Sequence, residues 1–324
     1  MGYSFELLVD DFSAAYIRGT VQQLEAKMAD GWPCWAISNH DVRRAVTRWG
    51  GPSPDPALAP QLVALVCSLR GSVCLYQGEE LGLPEADVPY EALQDPYGIT
   101  FWPNFKGRDG CRTPMPWHDA MHGGFTDGAP WLPVPAEHRA RNVAAQEAAS
   151  DSVLAHVRRF LSWRKAHPAL VLGDIRFLET AEPVLAFTRE HDGRTLLVVF
   201  NLSAQPCTWS LPQGFAPVPL EDHGLLTAHV DGGVLHLPKP ALLGAHQADG
   251  VCQRTFVRRA QAVVGAGIGV HGLQFGQQGG EVGQLQARHE SPAGGVAGAG
   301  KGNQQVVSGL RGHVGSGHDA IVGD

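Results

Sequence analysis

The sequence predicts an α/β region with a parallel sheet, followed by an all-β region and a glycine-rich tail. A strand, a helix and a second strand follow one another between residues 32 and 76, an order typical of a βαβ crossover. Beyond Pro168, short alternating strands and turn residues replace the helical spacing. The last 81 residues hold half of the 40 glycines but only one of the 23 prolines. The chain therefore contains three segments of different character.

The composition excludes several classes of protein. A chain of 324 residues is long enough for one large domain or two smaller ones. Six cysteines without paired spacing, and no long apolar run, argue against a disulfide scaffold and a membrane protein. A net charge of −7 argues against a general nucleic-acid binder, which needs a basic stripe. Without a secretory signal at its start, and with cysteines in apolar runs, we expect a cytoplasmic protein.

The first predicted helix lies between residues 13 and 31. Ser13 can cap its N-terminus, and Gly31 ends it. Apolar residues recur between these two at helical spacing, namely Ile17, Val21, Leu24 and Met28. The pattern predicts an amphipathic helix.

Two predicted strands flank a second helix. The run Trp32–Ser38 is mostly apolar, as a strand buried on both faces would be. The helix Leu58–Leu69 separates it from another apolar run, Ser72–Tyr76. Parallel sheets keep their chemistry at the carboxyl ends of strands, and Asn39-His40-Asp41 directly follows the first strand. The sequence therefore predicts a functional site at this turn.

A long segment, residues 84–136, is rich in Pro, Gly, Asp and Trp and has no clear periodicity. A loop of this length inside a folded domain is usually functional. A helix follows, which begins near Arg139 and ends at His167-Pro168.

The all-β region follows Pro168. Val184–Glu190 and Thr195–Leu202 flank His191-Asp-Gly-Arg194, a hairpin signal. We place the domains at residues 1–170, 171–243 and 244–324. The tail composition cannot easily bury enough apolar area to offset ordering entropy, so we expect residues 244–324 to be disordered. A shifted reading frame and a genuine glycine-rich linker are both open as its origin.

Three motifs give the chain a family likeness. They are SNHDVRRAVTRWG at residues 38–50, YQGEELGLPE at 76–85 and GRDGCRTPMPW at 107–117. In this order, with a long helix and a β-region after them, they resemble the bacterial α-glucosidases of glycoside hydrolase family 13, the α-amylase family. The resemblance covers residues 3–243. It implies the C-terminal part of a (β/α)8 TIM barrel, whose last two strands are those above, followed by an antiparallel β-sandwich.

The resemblance also implies roles for three residues after the first predicted strand. Asp41 corresponds to the third family carboxylate, which holds glucose hydroxyls and helps to stabilise an oxocarbenium-like transition state. His40 would donate a hydrogen bond to the same sugar. Arg44 lies in a D-x-x-R pattern, where a guanidinium can engage substrate hydroxyls and orient nearby carboxylates. Without the flanking motifs, Asn39-His40-Asp41 would be interpreted as an ordinary turn.

Other charged groups are predicted to have supporting roles. Glu79 and Glu80 are adjacent, so on a strand they would face opposite ways, which argues against an acid and base pair. The charged residues Arg108, Asp109 and Arg112 could form an internal ion-pair network or line the substrate rim, and we favour structural support.

Three tryptophans, Trp102, Trp117 and Trp131, could stack on sugar faces. A barrel packed against a sandwich also needs large aromatic side chains, so we expect most of the three in the core.

No cofactor and no metal ion are predicted. His118 and His122 are four residues apart, but the prolines before them and Gly123-Gly124 after them disfavour the helix that a shared metal would need. The tail motif Gly267-Ile-Gly269-Val-His-Gly272 matches a dinucleotide fingerprint, yet such a match arises by chance in a glycine-rich segment.

The predicted function is that of an α-glucosidase, which cleaves short α-glucosides of the maltose or isomaltose type with retention. In the family an aspartate and a glutamate on earlier strands supply the nucleophile and the acid/base, and nothing in this sequence matches their motifs. We therefore expect the chain to be inactive without the N-terminal half of the barrel. The alternatives are a non-catalytic carbohydrate-binding or structural remnant, and a gene-model product without independent function.

Overall fold

A computed structural model describes residues 2–28, 30–213, 215, 219–220, 223–225, 228–238, 260–265 and 269–271. The chain divides into two units, Met1–Phe275 and Gly276–Asp324, and the second lies outside the described residues. The first unit holds both the α/β part and the all-β part. None of the helices in the described ranges is both long and apolar enough to span a lipid bilayer.

Three short parallel strands form the sheet of the α/β part. They are β1 (Gly2–Tyr3), β2 (Pro33–Trp35) and β3 (Ser72–Val73), in the order β1-β2-β3. The sequence predicted two of them, β2 and β3, and both are confirmed as a parallel pair. The additional strand β1 has only two residues, too few to show an alternating pattern.

Three helices connect these strands. Helix α1 is Ala14–Met28, and the backbone N–H of Tyr16 donates to the Ser13 hydroxyl at 3.2 Å, which confirms the predicted cap. A short helix α2, Ala45–Gly50, follows the turn after β2, and α3 is Leu58–Ser68. Every residue of α3 is buried, because the sheet, the later helix Val153–Lys165 and the all-β part surround it.

The segment 84–136 is mostly irregular, as predicted. It contains α4 (Pro96–Phe101) and three 3-10 turns, at Tyr90–Ala92, Asp109–Cys111 and Met121–Gly124. The single helix predicted after it is interrupted, and the pieces are α5 (Ala136–Ala140), α6 (Val143–Ala148), α7 (Val153–Lys165) and α8 (Pro168–Leu172). Side chains of Asn142 and Ser152 start new helices within it by accepting backbone N–H groups.

The all-β part is built on the predicted hairpin. Strands β4 (Asp174–Phe177), β5 (Val184–His191) and β6 (Arg194–Asn201) are antiparallel neighbours. Asp192 and Gly193 turn between β5 and β6 with φ of 49° and 72°, the left-handed pair that a tight hairpin requires. A second sheet orders β7 (Cys207–Ser210), β10 (Val234–Leu237) and β9 (His229–Asp231).

The first sheet of the all-β part is extended by three further strands. Strand β11 (Ala260–Gly265) pairs parallel to β6, then come β12 (Gly269–His271) and β8 (Pro219–Leu220). Two of these strands belong to the tail that we expected to be disordered, so regular structure replaces disorder at those nine residues. Valines at 263 and 264 favour a strand there. The remainder of residues 244–324 lies outside the described residues, so their expected disorder stays a prediction.

One hydrophobic core joins the α/β part to the hairpin. It includes Trp35 of β2 and Ile37 just after it, most of α3, Phe160 of α7, and Phe187 and Phe200 of the hairpin. A smaller core between the two sheets of the all-β part holds Val184, Leu197, Leu235 and Leu237. The predicted boundary at residue 170 therefore separates segments of different secondary structure that share one core.

Candidate functional site

The turn after β2 presents the two side chains that the sequence singled out. The backbone N–H of Asp41 donates to Asn39 Oδ1 at 2.8 Å, so Asn39 shapes the turn. The side chains of His40 and Asp41 are 68% and 46% exposed, and His40 Nε2 lies 3.4 Å from Asp41 Oδ2. The predicted site residues are thus adjacent and accessible at the carboxyl end of a parallel strand.

Two arginines from the long segment orient the Asp41 carboxylate. Arg108 NH1 and Arg112 NH2 both donate to Asp41 Oδ1 at 3.0 Å. Arg112 Nε also donates to the carbonyl of His40 at 2.7 Å. Both guanidinium groups therefore fix the turn, and Asp41 Oδ2 is the oxygen left facing His40 and solvent. An ion-pair network does form, but the acids in it are Asp41 and Asp95 rather than the expected Asp109.

A buried aspartate that the sequence analysis missed holds Arg108. The side chain of Asp95 is fully buried and accepts from Arg108 Nε and NH2, both at 2.9 Å, and from the backbone N–H of Arg108 at 2.7 Å. These contacts hold the pKa of Asp95 well below its usual range. The guanidinium thus uses two nitrogens on Asp95 and the third on Asp41. A local signal existed, since Asp95 precedes Pro96 at the start of α4.

A second buried aspartate supports the first. Asp109 Oδ2 accepts from the backbone N–H groups of Gln94 at 2.6 Å and Asp95 at 2.7 Å. It lies next to Arg108 in the chain, so the segment folds back on itself around Asp95. Within the GRDGCR motif, Asp109 therefore binds the backbone around Asp95, whereas Arg108 and Arg112 both contact Asp41.

Arg44 does not occupy the position that the D-x-x-R pattern predicted. Its side chain is 2% exposed, NH1 donates to the carbonyl of Gln77 at 2.8 Å, and NH2 donates to that of Cys111 at 3.0 Å. Arg44 lies just before α2 with extended backbone, and its side chain points inward, beneath the long segment. The guanidinium therefore ties β3 to that segment and is not available to substrate hydroxyls in this structure.

Glu79 and Ser38 are buried side chains that support the turn after β2 from inside the protein. Glu79 lies in a 3-10 turn rather than on a strand, and its Oε2 accepts from the backbone N–H of Tyr76 at 3.1 Å. The Ser38 hydroxyl bonds to the Glu79 carboxyl and accepts from the backbone N–H of Ala45 at 3.0 Å. Burial raises the pKa of Glu79 to about 7, although these hydrogen bonds oppose the rise.

An open cavity of about 510 Å³ lies beside the turn. Its lining holds charged residues of both signs, namely Asp10, Asp41, Arg43, Arg48, Glu85, Lys106 and Arg108. His40 is not among the lining residues. A cavity of this size with polar groups of both signs accommodates a small hydroxylated molecule.

The aromatic and histidine predictions have mixed outcomes. Trp117 and Trp131 are 49% and 56% exposed, so the expectation that most of the tryptophans pack in the core is wrong for these two. Trp102 is half-buried beside Tyr90. His118 and His122 share no helix, because a turn with left-handed backbone occupies this stretch. Among the described residues, no group of three or more His, Cys, Asp or Glu side chains is arranged to hold a metal.

The sequence match to a family model decides the classification. The model for the α-amylase catalytic domain matches residues 3–173, just over half of the chain. The chain belongs to the α-amylase family. A second model, the maltogenic amylase C-terminal domain, matches residues 175–223. The predicted fold class, part of a barrel followed by an all-β domain, is confirmed.

Curated members of the α-amylase family resemble the chain along part of their length. A probable α-glucosidase from Rhizobium meliloti is 48% identical over 233 residues, which cover 71% of this chain and 42% of that protein. An oligo-1,6-glucosidase from Halalkalibacterium halodurans is 31% identical over 226 residues, 62% of this chain and 39% of the relative. The chain therefore spans less than half the length of these relatives.

Solved structures of the α-amylase family superpose on the same part. An α-glucosyl transfer enzyme, XgtA, has 63% sequence identity and a TM-score of 0.72 over 74% of this chain and 45% of its own. The trehalulose synthase MutB from Pseudomonas mesoacidophila has 25% identity and a TM-score of 0.61 over 82% of this chain and 47% of its own.

Proposed function

We propose that this chain provides the last strands and the sandwich of an α-glucosidase that cleaves short α-glucosides with retention. The observation that carries the proposal is the Asp41 carboxylate, held at the end of β2 by Arg108 and Arg112 beside an open cavity. Two arginines on Oδ1 leave Oδ2 to accept hydrogen bonds from sugar hydroxyls. Names of the relatives point to the same substrate class.

In this proposal Asp41 stabilises the oxocarbenium-like transition state, and His40 donates a hydrogen bond to the same sugar. Arg112 links the two residues, because it contacts both the Asp41 carboxylate and the His40 carbonyl. Arg44 acts as a positioning residue, since its guanidinium holds Gln77 and Cys111 rather than substrate.

The proposed reaction needs two further carboxylates, a nucleophile and an acid/base about 5–5.5 Å apart. They belong to strands of the barrel other than β1, β2 and β3. In the described sheet β1 and β3 each pair on one side only, whereas a barrel closes by pairing both. In this proposal the chain needs the N-terminal half of a barrel for activity, and the complete enzyme acts in the cytoplasm without a cofactor.

Complementation with the missing strands tests the proposal. The chain is assayed with a chromogenic α-glucoside alone, and after co-expression with the N-terminal barrel half of the Rhizobium meliloti relative. We expect no turnover alone, turnover in the complex, and loss of turnover with Asp41→Asn. The matched control is Asp127→Asn, an exposed loop residue, which should leave turnover unchanged. Turnover by the isolated chain would overturn the requirement for a second half.

A non-catalytic carbohydrate-binding or structural remnant is the second candidate, because fewer than half of the residues of each relative align with the chain. A soluble complex that binds the glucoside without turning it over would favour this candidate. The high identity to an α-glucosyl transfer enzyme also makes transfer an alternative to hydrolysis. Chromatography of the products from maltose separates free glucose from longer oligosaccharides.

A further inference from the structure

A row of exposed side chains crosses the outer face of the sheet β7-β10-β9. His236 of β10 is directly opposite His229 of β9 on one side and Thr208 of β7 on the other. All three side chains are exposed, while their neighbours Leu235, Leu237 and Val230 point into the core. The alternation of the strands therefore places two imidazoles side by side in solvent.

The separation of the two rings suits a shared metal ion. The ring centroids of His229 and His236 are 5.9 Å apart, with 38° between their planes. A metal–nitrogen bond of about 2.0–2.1 Å puts each centroid about 3.2 Å from a common ion. Two such rings lie about 5.2 Å apart at the tetrahedral angle and about 6.4 Å apart in line with the ion. The observed distance falls between these limits, so the separation of the two rings matches that of a pair sharing one ion.

The surroundings leave room for the ion and its remaining ligands. The two histidines and Thr208 line an open cavity of about 360 Å³, which Pro206 and Pro238 bound. Asp231 faces the same side of β9 two residues from His229, about 7 Å along the strand. Two imidazoles, with no carboxylate of the described residues among the cavity lining, favour zinc, nickel or copper over magnesium or calcium.

We infer that His229 and His236 form a two-imidazole binding site for a divalent transition-metal ion, with water completing the coordination. The ion would bridge β9 and β10 and stabilise the second sheet of the all-β domain. This site is independent of the glucosidase proposal, because it shares no residue with the Asp41 turn.

Binding of Zn²⁺ to the purified full chain tests the inference. Isothermal titration calorimetry at pH 7.5 should show one site that is lost in His229→Gln/His236→Gln, and each single variant should raise its Kd at least about tenfold. The control is His118→Gln/His122→Gln, which removes two histidines that are near in sequence but are not a cross-strand pair. With 15 histidines in the chain, only the difference between these two double variants is informative.

A second measurement identifies the ligands. With one equivalent of Cu²⁺, the electron paramagnetic resonance spectrum should show hyperfine coupling to two imidazole nitrogens, and the signal should change in His236→Gln. Equal affinity in wild type and the His229/His236 double variant would overturn the inference, as would loss of the site in the control.

Discussion

The parallel sheet β1-β2-β3 and the antiparallel hairpin β5-β6 share one core but make very different numbers of their own backbone hydrogen bonds. The parallel strands have two or three residues each. The hairpin strands have eight each and pair along their whole length, from Val184 opposite Asn201 to His191 opposite Arg194. The part of the molecule that presents Asp41 is therefore the part with the shortest strands, and its stability depends on helices, buried side chains and the neighbouring domain.

Two side chains of the all-β part support the α/β part directly. Arg189 of β5 is fully buried and donates to the carbonyls of Ser68 at 2.6 Å, Leu69 at 2.8 Å and Gly173 at 2.8 Å. It therefore satisfies the C-terminal end of α3, where a cation is also favourable for the helix dipole. Glu182, just before β5, accepts from the first two N–H groups of α1.

The largest effect should come from Arg189→Met. Three buried carbonyls lose their partner, so we expect the free energy of unfolding to fall by about 3–5 kcal/mol. Urea denaturation followed by tryptophan fluorescence measures this change. The control Arg194→Met, in the exposed turn of the same hairpin, should change it by less than about 0.5 kcal/mol. Equal effects of the two variants would show that the two parts are not coupled through Arg189.

Asp95→Asn should have the next largest effect. It removes a buried carboxylate from Arg108, and we expect a loss of about 2–3 kcal/mol at pH 7. The pKa of Asp95 is lowered in the folded state. Its contribution to the free energy of unfolding is therefore present above its unfolded pKa of about 3.9 and is lost as the pH falls below that value. The variant should therefore lose less stability than wild type when the pH is lowered from 5 to 2.

The control for Asp95 is Asp87→Asn. Asp87 also pairs with a basic side chain, Lys106, but its own side chain is 76% exposed. Exposed pairs contribute about 0–1 kcal/mol, so this variant should unfold almost as wild type does. A comparable loss in both variants would mean that burial of Asp95 does not matter.

Glu79→Gln should change how stability depends on pH. A folded pKa of about 7 means that the stability contributed by Glu79 is full below the unfolded value of about 4.3 and is lost as the pH rises through 7. Glutamine does not titrate, so the variant should gain up to about 3 kcal/mol over wild type at pH 8. Thermal unfolding between pH 4.5 and 8 measures this, with Glu80→Gln as the adjacent control. If the stability of Glu79→Gln depends on pH as that of wild type does, Glu79 is not the group that titrates in this range.

His138, in the same region, should make stability depend on pH in the opposite direction. It is buried, its Nε2 donates to the carbonyl of Pro84 at 2.8 Å, and burial lowers its pKa to about 4. The contribution of His138 to the free energy of unfolding is complete above about pH 6.5 and is lost as the pH falls towards 4. In Glu79→Gln this acid-side loss should remain, so the variant separates the two groups.

Glu182→Ala should have the smallest effect. Removal of the two hydrogen bonds to Ala14 and Ala15, at 3.0 and 2.8 Å, should cost about 1 kcal/mol. Its control, Glu179→Ala, removes a carboxylate that is 90% exposed and should change the midpoint of unfolding very little. If Glu182→Ala also behaves like wild type in denaturant, solvent replaces the cap and the link through α1 is not stabilising.

Local signals were sufficient for some elements of this chain and not for others. Helix α1 and the hairpin carry their own signals, Ser13 for the cap and Asp192-Gly193 for the turn, so both could be predicted. Strand β1 has no such signal, because two residues show no period. The same reasoning identified the His40-Asp41 turn, since it ends a run of buried residues.

The parts of the site that could not be predicted depend on contacts between distant residues. Arg44 fits a motif for substrate contact, but its side chain is buried against the carbonyls of Gln77 and Cys111, and spacing alone does not show which way a side chain points. Asp95 contacts Arg108, 13 residues away, across an irregular segment. The sequence placed Glu79 in the signature of a strand. The structure shows that it is a buried acid, because Ser38 and its own 3-10 turn enclose it.

The cap on α1 has a consequence for the order in which the chain folds. Glu182 follows Ala14 by 168 residues. At 5–20 residues per second, a ribosome needs roughly 10–30 s to make the intervening chain. Helix α1 therefore spends that interval after its synthesis with its first N–H groups bonded to water. Helix α1 receives the partner of its first two N–H groups only when Glu182, at the start of the hairpin, has been made.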